Sequence, residues 1–304
     1  MSAEAAITSR SGTSAETLQR ARGRATLAVA ADKAGRTRLR DLYQHGCLKL
    51  RLPRGGGTRL SRAVPEAVLI NTAGGLTGGD GLRIEARVGA GASLALATQT
   101  AERLYRASSG EARVETRLHV EPRGRLSWLP QETILFEGSG LCRTMNVDLA
   151  DGARFLCVEP LVFGRTAMGE RIGRLCLRDD WRIRVGGRLV HAEALKLGPD
   201  AAGGLARPAG WNGSGASATM FCLAPEASQL LQQVRAVIGA DGAADAWSDG
   251  SAPRLVARLV ARDGFALRSR LVPLLALLNA AVHELEWRGE ASESAAVLPA
   301  VWSL

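Results

Sequence analysis

Period-two alternation, punctuated by glycine and proline turns, governs the first two thirds of this chain. The clearest strand is Arg113-Val114-Glu115-Thr116-Arg117-Leu118-His119-Val120, where apolar and polar residues exchange at almost every step. The turn Glu121-Pro122-Arg123-Gly124 follows, and Leu126 and Trp128 resume the spacing. Leu82, Ile84, Ala86 and Val88 alternate up to Gly89-Ala90-Gly91, after which Ser93 to Thr98 returns. Asn146 to Leu149, Asp151-Gly152 and Arg154 to Val158 read as a hairpin, as do Trp181, Ile183 and Val185, Gly186-Gly187, then Leu189 and His191. Helical stretches of the length that parallel crossovers require do not recur between these runs, so a doubly wound α/β sheet is excluded. The expectation is a mainly β fold, with wound β-helix-like or sandwich-like strand layers and a few α-helices near the C-terminus.

The last third differs. Ala201 to Ala218 reads as a Gly/Ala/Ser-rich loop. Leu230, Leu231, Val234 and Ile238 recur at helical spacing within residues 225–240. A second helix is predicted over 271–287, with Leu271, Leu274, Leu275, Leu278, Val282 and Leu285 as its stripe and Pro273 in its first turn. Its apolar face is either core or a docking face for a partner helix. Residues 1–24 are rich in Ser, Ala, Thr and Arg and read as a flexible arm. The remainder, 25–304, reads as a single domain that is β-rich to about residue 200.

Composition narrows the class. At 304 residues with 46% hydrophobic and 23% charged side chains, the chain has a globular balance. The apolar run Leu274 to Val282 falls short of the ~18 residues of a spanning helix, and the N-terminus lacks an apolar signal core. A cytoplasmic protein is expected. Lys and Arg number 39 against 30 Asp and Glu, a net charge of +9. Only Lys33, Lys49 and Lys196 are lysines, and the arginines are scattered rather than clustered in runs. That pattern argues against nucleic-acid binding and leaves attraction of acidic protein partners as the use of the excess charge.

Chemistry-bearing motifs are few. Cys47, Cys142, Cys157, Cys176 and Cys222 form no CxxC pair, and His45, His119, His191 and His283 stand alone. Free thiols are expected, with Cys157 in an apolar strand. Residues 69–81, Leu-Ile-Asn-Thr-Ala-Gly-Gly-Leu-Thr-Gly-Gly-Asp-Gly, lack the GK[ST] of a phosphate-binding loop. They read as a tight β connection in which backbone N–H groups hold Asp80. No nucleophile elbow, HExxH or supported Ser/His/Asp order occurs, so the residues give no case for an enzyme.

Four ordered blocks carry a resemblance. They are Asn71-Thr72-Ala73-Gly74-Gly75 through Gly78-Gly79-Asp80; Ala97-Thr98-Gln99-Thr100-Ala101 with Tyr105-Arg106; Trp128-Leu129-Pro130-Gln131-Glu132-Thr133-Ile134-Leu135-Phe136; and Gly164-Arg165 with Met168-Gly169-Glu170. Together they resemble the urease accessory protein UreD family, also called UreH. The resemblance implies a mostly β, wound fold that is not an enzyme. It implies binding of the urease apoprotein and recruitment of UreF, which brings the GTPase UreG for nickel insertion. No cofactor is expected to be tightly bound, though Ni²⁺ would pass transiently, and neither nucleic acid nor membrane is an expected partner.

A protein that hands a divalent ion onward needs weak, repeated oxygen ligands rather than a tight His/Cys site. On that ground Asp80, Glu132 and Glu170, with Glu85 and Gln99, are the candidate nickel path. The competing reading is that Asp80 and Glu170 pair with arginines such as Arg165 or cap turns. A stand-alone weak nickel carrier is the alternative function.

Overall fold

The computed structural model describes residues 19–53, 60, 63–165, 168–248, 250, 253–287 and 294–302. Two sheets face each other, one of seven strands and one of ten. The chain opens with the antiparallel pair β1 (Arg22–Ala31) and β2 (Thr37–Gly46), then β3 (Leu48–Arg51) and β4 (Glu66–Asn71). Thereafter it alternates between sheets. β5 (Gly81–Val88) lies in the seven-stranded sheet and β6 (Ser93–Thr98) in the other. After the short β7 (Glu102–Leu104), β8 (Ala112–Val120) and β9 (Arg125–Leu129) repeat the crossing. After β10 (Thr133–Leu135), β11 (Gly140–Leu149) and β12 (Arg154–Phe163) repeat it again. β13 (Cys176–Val185) and β14 (Arg188–Leu197) close the seven-stranded sheet.

Stacked this way, β1, β5, β8, β11 and β13 run parallel, as do β4, β6, β9 and β12. The mainly β, wound architecture is therefore present as solenoid-like coils, and it corrects one of the expected hairpins: residues 146–158 turn from one sheet to the other instead of pairing with themselves, as do 82–98 and 113–128. Crossing the sandwich lets parallel strands be joined by short turns, without crossover helices. The Gly186-Gly187 turn is a true hairpin. Both glycines have positive φ, 54° and 81°, as a two-residue turn of this hand demands.

The register shows why the alternation was written. Leu27, Ala86, Leu118, Val147 and Ile183 lie side by side across five strands, each buried on the inner face of the seven-stranded sheet. Facing them are Leu94, Leu96, Trp128, Phe155, Cys157 and Phe221 of the ten-stranded sheet.

Strands continue beyond residue 200. α1 (Ala201–Ala206), capped by Asp200, interrupts the expected loop; β15 (Ala216–Leu223) follows, then α2 (Ala227–Ile238), β16 (Gly242–Trp247) and β17 (Arg254–Ala261). α3 (Gly264–His283) starts seven residues earlier than predicted because the Asp263 carboxylate accepts the Ala266 N–H at 2.7 Å. It ends at Glu284 in the left-handed conformation, so Pro273 lies inside the helix instead of in its first turn. By length and composition α3 could cross a membrane, but here Leu271, Leu274, Leu275 and Leu278 are buried in the core on the outer face of the ten-stranded sheet. α4 (Ser294–Val297) and a 3₁₀ turn (Ala300–Trp302) complete the described chain. Of the expected N-terminal arm, residues 1–18 lie outside the described residues, while Arg22, Gly23 and Arg24 belong to β1.

Candidate functional site

A cluster of buried charges interrupts the mostly apolar inner faces. In the row that contains Gly23, Leu82 and Val114, β11 contributes Arg143 and β13 contributes Asp179, paired directly in register. Arg143 is 5% exposed and Asp179 3%. The guanidinium donates to Asp179 from Nε at 3.1 Å and from Nη2 at 2.5 Å, the bidentate fork that Arg geometry favours. Its Nη1 reaches across the sandwich to Glu159 of β12 and to Thr133 Oγ1 at 3.3 Å. Trp128 Nε1 donates to the other Glu159 oxygen at 2.9 Å, and Trp181 Nε1 to Asp179 at 3.1 Å.

One guanidinium thus serves two carboxylates. Burial is the main force on Glu159, pushing its pKa up to about 7, and Asp179 adds to the rise while Arg143 opposes it. Arg143 is held firmly charged by Asp179 and Glu159 against the cost of its burial.

The cluster stands between two cavities. One, of about 150 Å³, lies between the sheets and is lined by Asn71, Gln99, Glu102, Gln131, Arg143 and Glu159 among apolar walls. The other, of about 430 Å³, is lined by Glu159, Asp179, Trp181, Glu193, Trp211 and Arg258. Glu159 borders both. In the first, the Glu102 carboxylate accepts from Asn71 Nδ2 at 3.1 Å to each oxygen, and burial raises its pKa.

The residues singled out from sequence fall elsewhere, at separate points. Asp80 is 5% exposed and accepts the N–H groups of Ala21 and Thr77, each at 2.8 Å, so backbone N–H groups hold it as the glycine-rich block suggested. Glu132 pairs with Arg268 at 3.0 Å, and its carbonyl accepts the Glu102 N–H at 2.9 Å. Glu170 accepts from Arg165 Nε at 2.9 Å and from the Glu137 N–H at 3.2 Å; the Arg165 hydrogen bond lowers its pKa. Glu85 is on the outer face, 3.4 Å from Arg24, whereas Gln99 does line the inter-sheet cavity. Among the described residues, no three His, Cys, Asp or Glu side chains are grouped as metal ligands.

Arg143, Glu159, Asp179 and Glu102 were the residues missed. Parity could have found three of them. Leu141, Arg143, Met145 and Val147 share a face, as do Leu177, Asp179, Trp181 and Ile183, and Cys157, Glu159, Leu161 and Phe163. A charge at a core-facing position is costly unless paired, and these three sit in consecutive inner strands.

The family model described as UreD urease accessory protein matches residues 21–303. Urease accessory protein UreD of Mesorhizobium japonicum is 48% identical over 286 residues, covering 94% of this chain and 95% of that protein. Urease accessory protein UreD 1 of Brucella abortus is 46% identical over 287 residues, covering 94% of this chain and 95% of its own. UreD 1 of Brucella anthropi is 49% identical over 252 residues, with 81% and 87% covered. With strands, helices and ionic cluster all inside the matched span, the chain belongs to the UreD family of urease accessory proteins, and is an accessory protein rather than an enzyme.

Proposed function

We propose that this chain is a cytoplasmic scaffold that binds the urease apoprotein and recruits UreF, and through it UreG, for GTP-dependent insertion of nickel. Family membership supports the urease side of this reading. The observation that carries the nickel side is Glu159, a buried carboxylate that borders both cavities.

Nickel is cargo here, so the useful site is one it leaves. Oxygen ligands that are spaced along a path, with water completing the shell, bind Ni²⁺ more weakly than imidazole or thiolate would, and do so repeatedly. Glu102, Gln99, Gln131 and Glu159 supply such oxygens along the inter-sheet cavity, and Glu193 continues them beyond the cluster. This path differs from one through Asp80, Glu132 and Glu170. At Asp80, Glu132 and Glu170 an ion would compete with the N–H groups of Ala21, Thr77 and Glu137 and with the guanidiniums of Arg268 and Arg165, just as at Glu159 it would compete with Arg143 and Trp128 and at Glu193 with Arg258. Asp80 and Glu170 then act as holders of the turns that shape the cavity walls.

Arg143 has a second consequence. Its fixed positive charge beside Glu159 raises the cost of any cation that lingers at the junction, which favours passage over storage. The test is a pull-down of urease apoprotein, UreF and UreG with the full chain, followed by urease activation with nickel and GTP. Co-purification with activation supports the scaffold; activation unaffected by omitting the chain rejects it.

A further inference from the structure

Among the described residues, the long helices α2 and α3 pack on the ten-stranded sheet and leave the outer face of the seven-stranded sheet without a helix of that length. Near one end of β1, β5 and β8 that face holds a depression of about 530 Å³, lined by Arg22, Arg24, Arg83, Arg113 and His45, with Glu115 as its one carboxylate. Register places Arg22 and Arg113 on either side of Gly81. Gly81 leaves open space there: a Cβ at that position would come within 2.7 Å of Arg22 Nη1, so the guanidinium lies over the glycine.

Local carboxylates neutralise only part of this group. Glu115 is taken by Arg83 at 2.9 Å and by Arg117, and Glu85 by Arg24 at 3.4 Å. Arg22 and Arg113, and Arg87 further along β5, form no ion pair with any described residue. All three are exposed.

We propose that this arginine-walled depression is a docking site for a carboxylate-rich segment of a protein partner. Guanidinium forks match carboxylates bidentately, and the sheet register fixes the spacing of the backbone positions that carry them. Interspersed acids favour a protein over a nucleic acid. Glu85, Glu115 and Asp180 would repel a continuous phosphate backbone, while a protein surface can place its own cations opposite them. The site is on the opposite side of the sheet from the inter-sheet cavity and does not depend on the nickel path.

Fluorescence anisotropy with the full chain and a fluorescein-labelled oligoglutamate peptide tests this, with duplex DNA of matched charge as competitor. Binding is expected at low salt, weakening by roughly tenfold or more at physiological salt. Arg22→Gln with Arg113→Gln should weaken it at least ~5-fold, whereas Arg22→Lys with Arg113→Lys should retain part of it. Arg36→Gln with Arg262→Gln removes equal charge elsewhere and should change affinity less than ~2-fold. Hydrogen exchange on the unmodified chain gives a second reading, with peptide-induced protection expected around Arg22, Gly81 and Arg113. Equal loss in both Gln pairs, preferential binding of DNA, protection confined to other strands, or no binding would each overturn the proposal.

Discussion

Arg143 of β11 and Glu159 of β12 approach from opposite sheets and join through Nη1 in the middle of the core, where both side chains are almost wholly shielded from water. Asp179 takes the other edge of the same guanidinium. The arrangement ties the two sheets together at the boundary between the two cavities. Arg143→Met should therefore cost about 3–5 kcal/mol, because it strands two buried carboxylates. Urea denaturation at pH 8 measures this, and the triple change Arg143→Met, Glu159→Gln, Asp179→Asn should recover most of the loss. A cost below ~1 kcal/mol for the single change would show that water already reaches the cluster.

A second buried network fixes α3 to the sheet. His283 Nε2 donates to Ser127 Oγ at 3.0 Å, Ser127 donates to Asn279 Oδ1 at 2.5 Å, and Asn279 Nδ2 donates to the Val297 carbonyl at 2.6 Å. His283 Nδ1 is buried with no partner, so a proton added there finds no acceptor. Burial, with Arg125 nearby, pushes the His283 pKa down to about 3 from the ordinary 6.5. The unfolded chain takes up that proton below pH 6.5 while the native ring stays neutral, so stability falls as pH drops from 6.5 towards 3. The slope should be about 1.4 kcal/mol per pH unit from this residue, and His191, pushed by burial to about 4, adds to it above pH 4. Urea midpoints at pH 7, 6 and 5 should show a shallower slope for His283→Gln.

Asp80 is a turn holder by the geometry of its two 2.8 Å hydrogen bonds. Asp80→Ala should cost about 2–3 kcal/mol, by leaving the N–H groups of Ala21 and Thr77 unsatisfied, and Asp80→Asn about half as much. Thermal denaturation gives the ranking. Equal stability of all three proteins would mean those hydrogen bonds are replaced by water at no cost.

Asp263 decides where α3 begins. Asp263→Ala should destabilise by about 1 kcal/mol through loss of the cap on Ala266 N–H, and amide exchange should quicken over the first turn only. Exchange that quickens along the whole helix would place the weakness at Pro273 instead.

Much of this was legible from residue order. Alternation located β5, β6, β8, β9 and parts of β11 to β14, while β1 to β4, β7 and β10 were not singled out; the leucine spacing located α2 and most of α3. Strand partners were not legible, because a turn that returns to its own sheet and a turn that crosses to the facing one leave the same period-two pattern. Only the register of Leu27, Ala86, Leu118, Val147 and Ile183 reveals stacked coils. β16 and β17 were missed for a different reason: Gly242-Ala243-Ala244 is too small to show a face, and Leu255-Val256-Ala257 is buried on both. Acidic residues near glycines drew attention because they are conspicuous, yet glycine turns are where carboxylates serve backbone N–H groups. The charges that face the core, Arg143, Glu159 and Asp179, stood in apolar-looking strands and needed parity to be seen.

The nickel content of urease is the most direct test of the cavity path. Urease apoprotein would be matured with UreF, UreG, GTP and nickel, using this chain either unaltered or carrying Glu102→Gln with Glu159→Gln, which keeps shape and removes both carboxylates bordering the inter-sheet cavity. The expected result is an assembly that forms as before but delivers roughly tenfold less nickel to urease, since amide oxygens replace charged ligands. Full nickel loading by the doubly substituted chain, within an intact assembly, would contradict passage through the cavity.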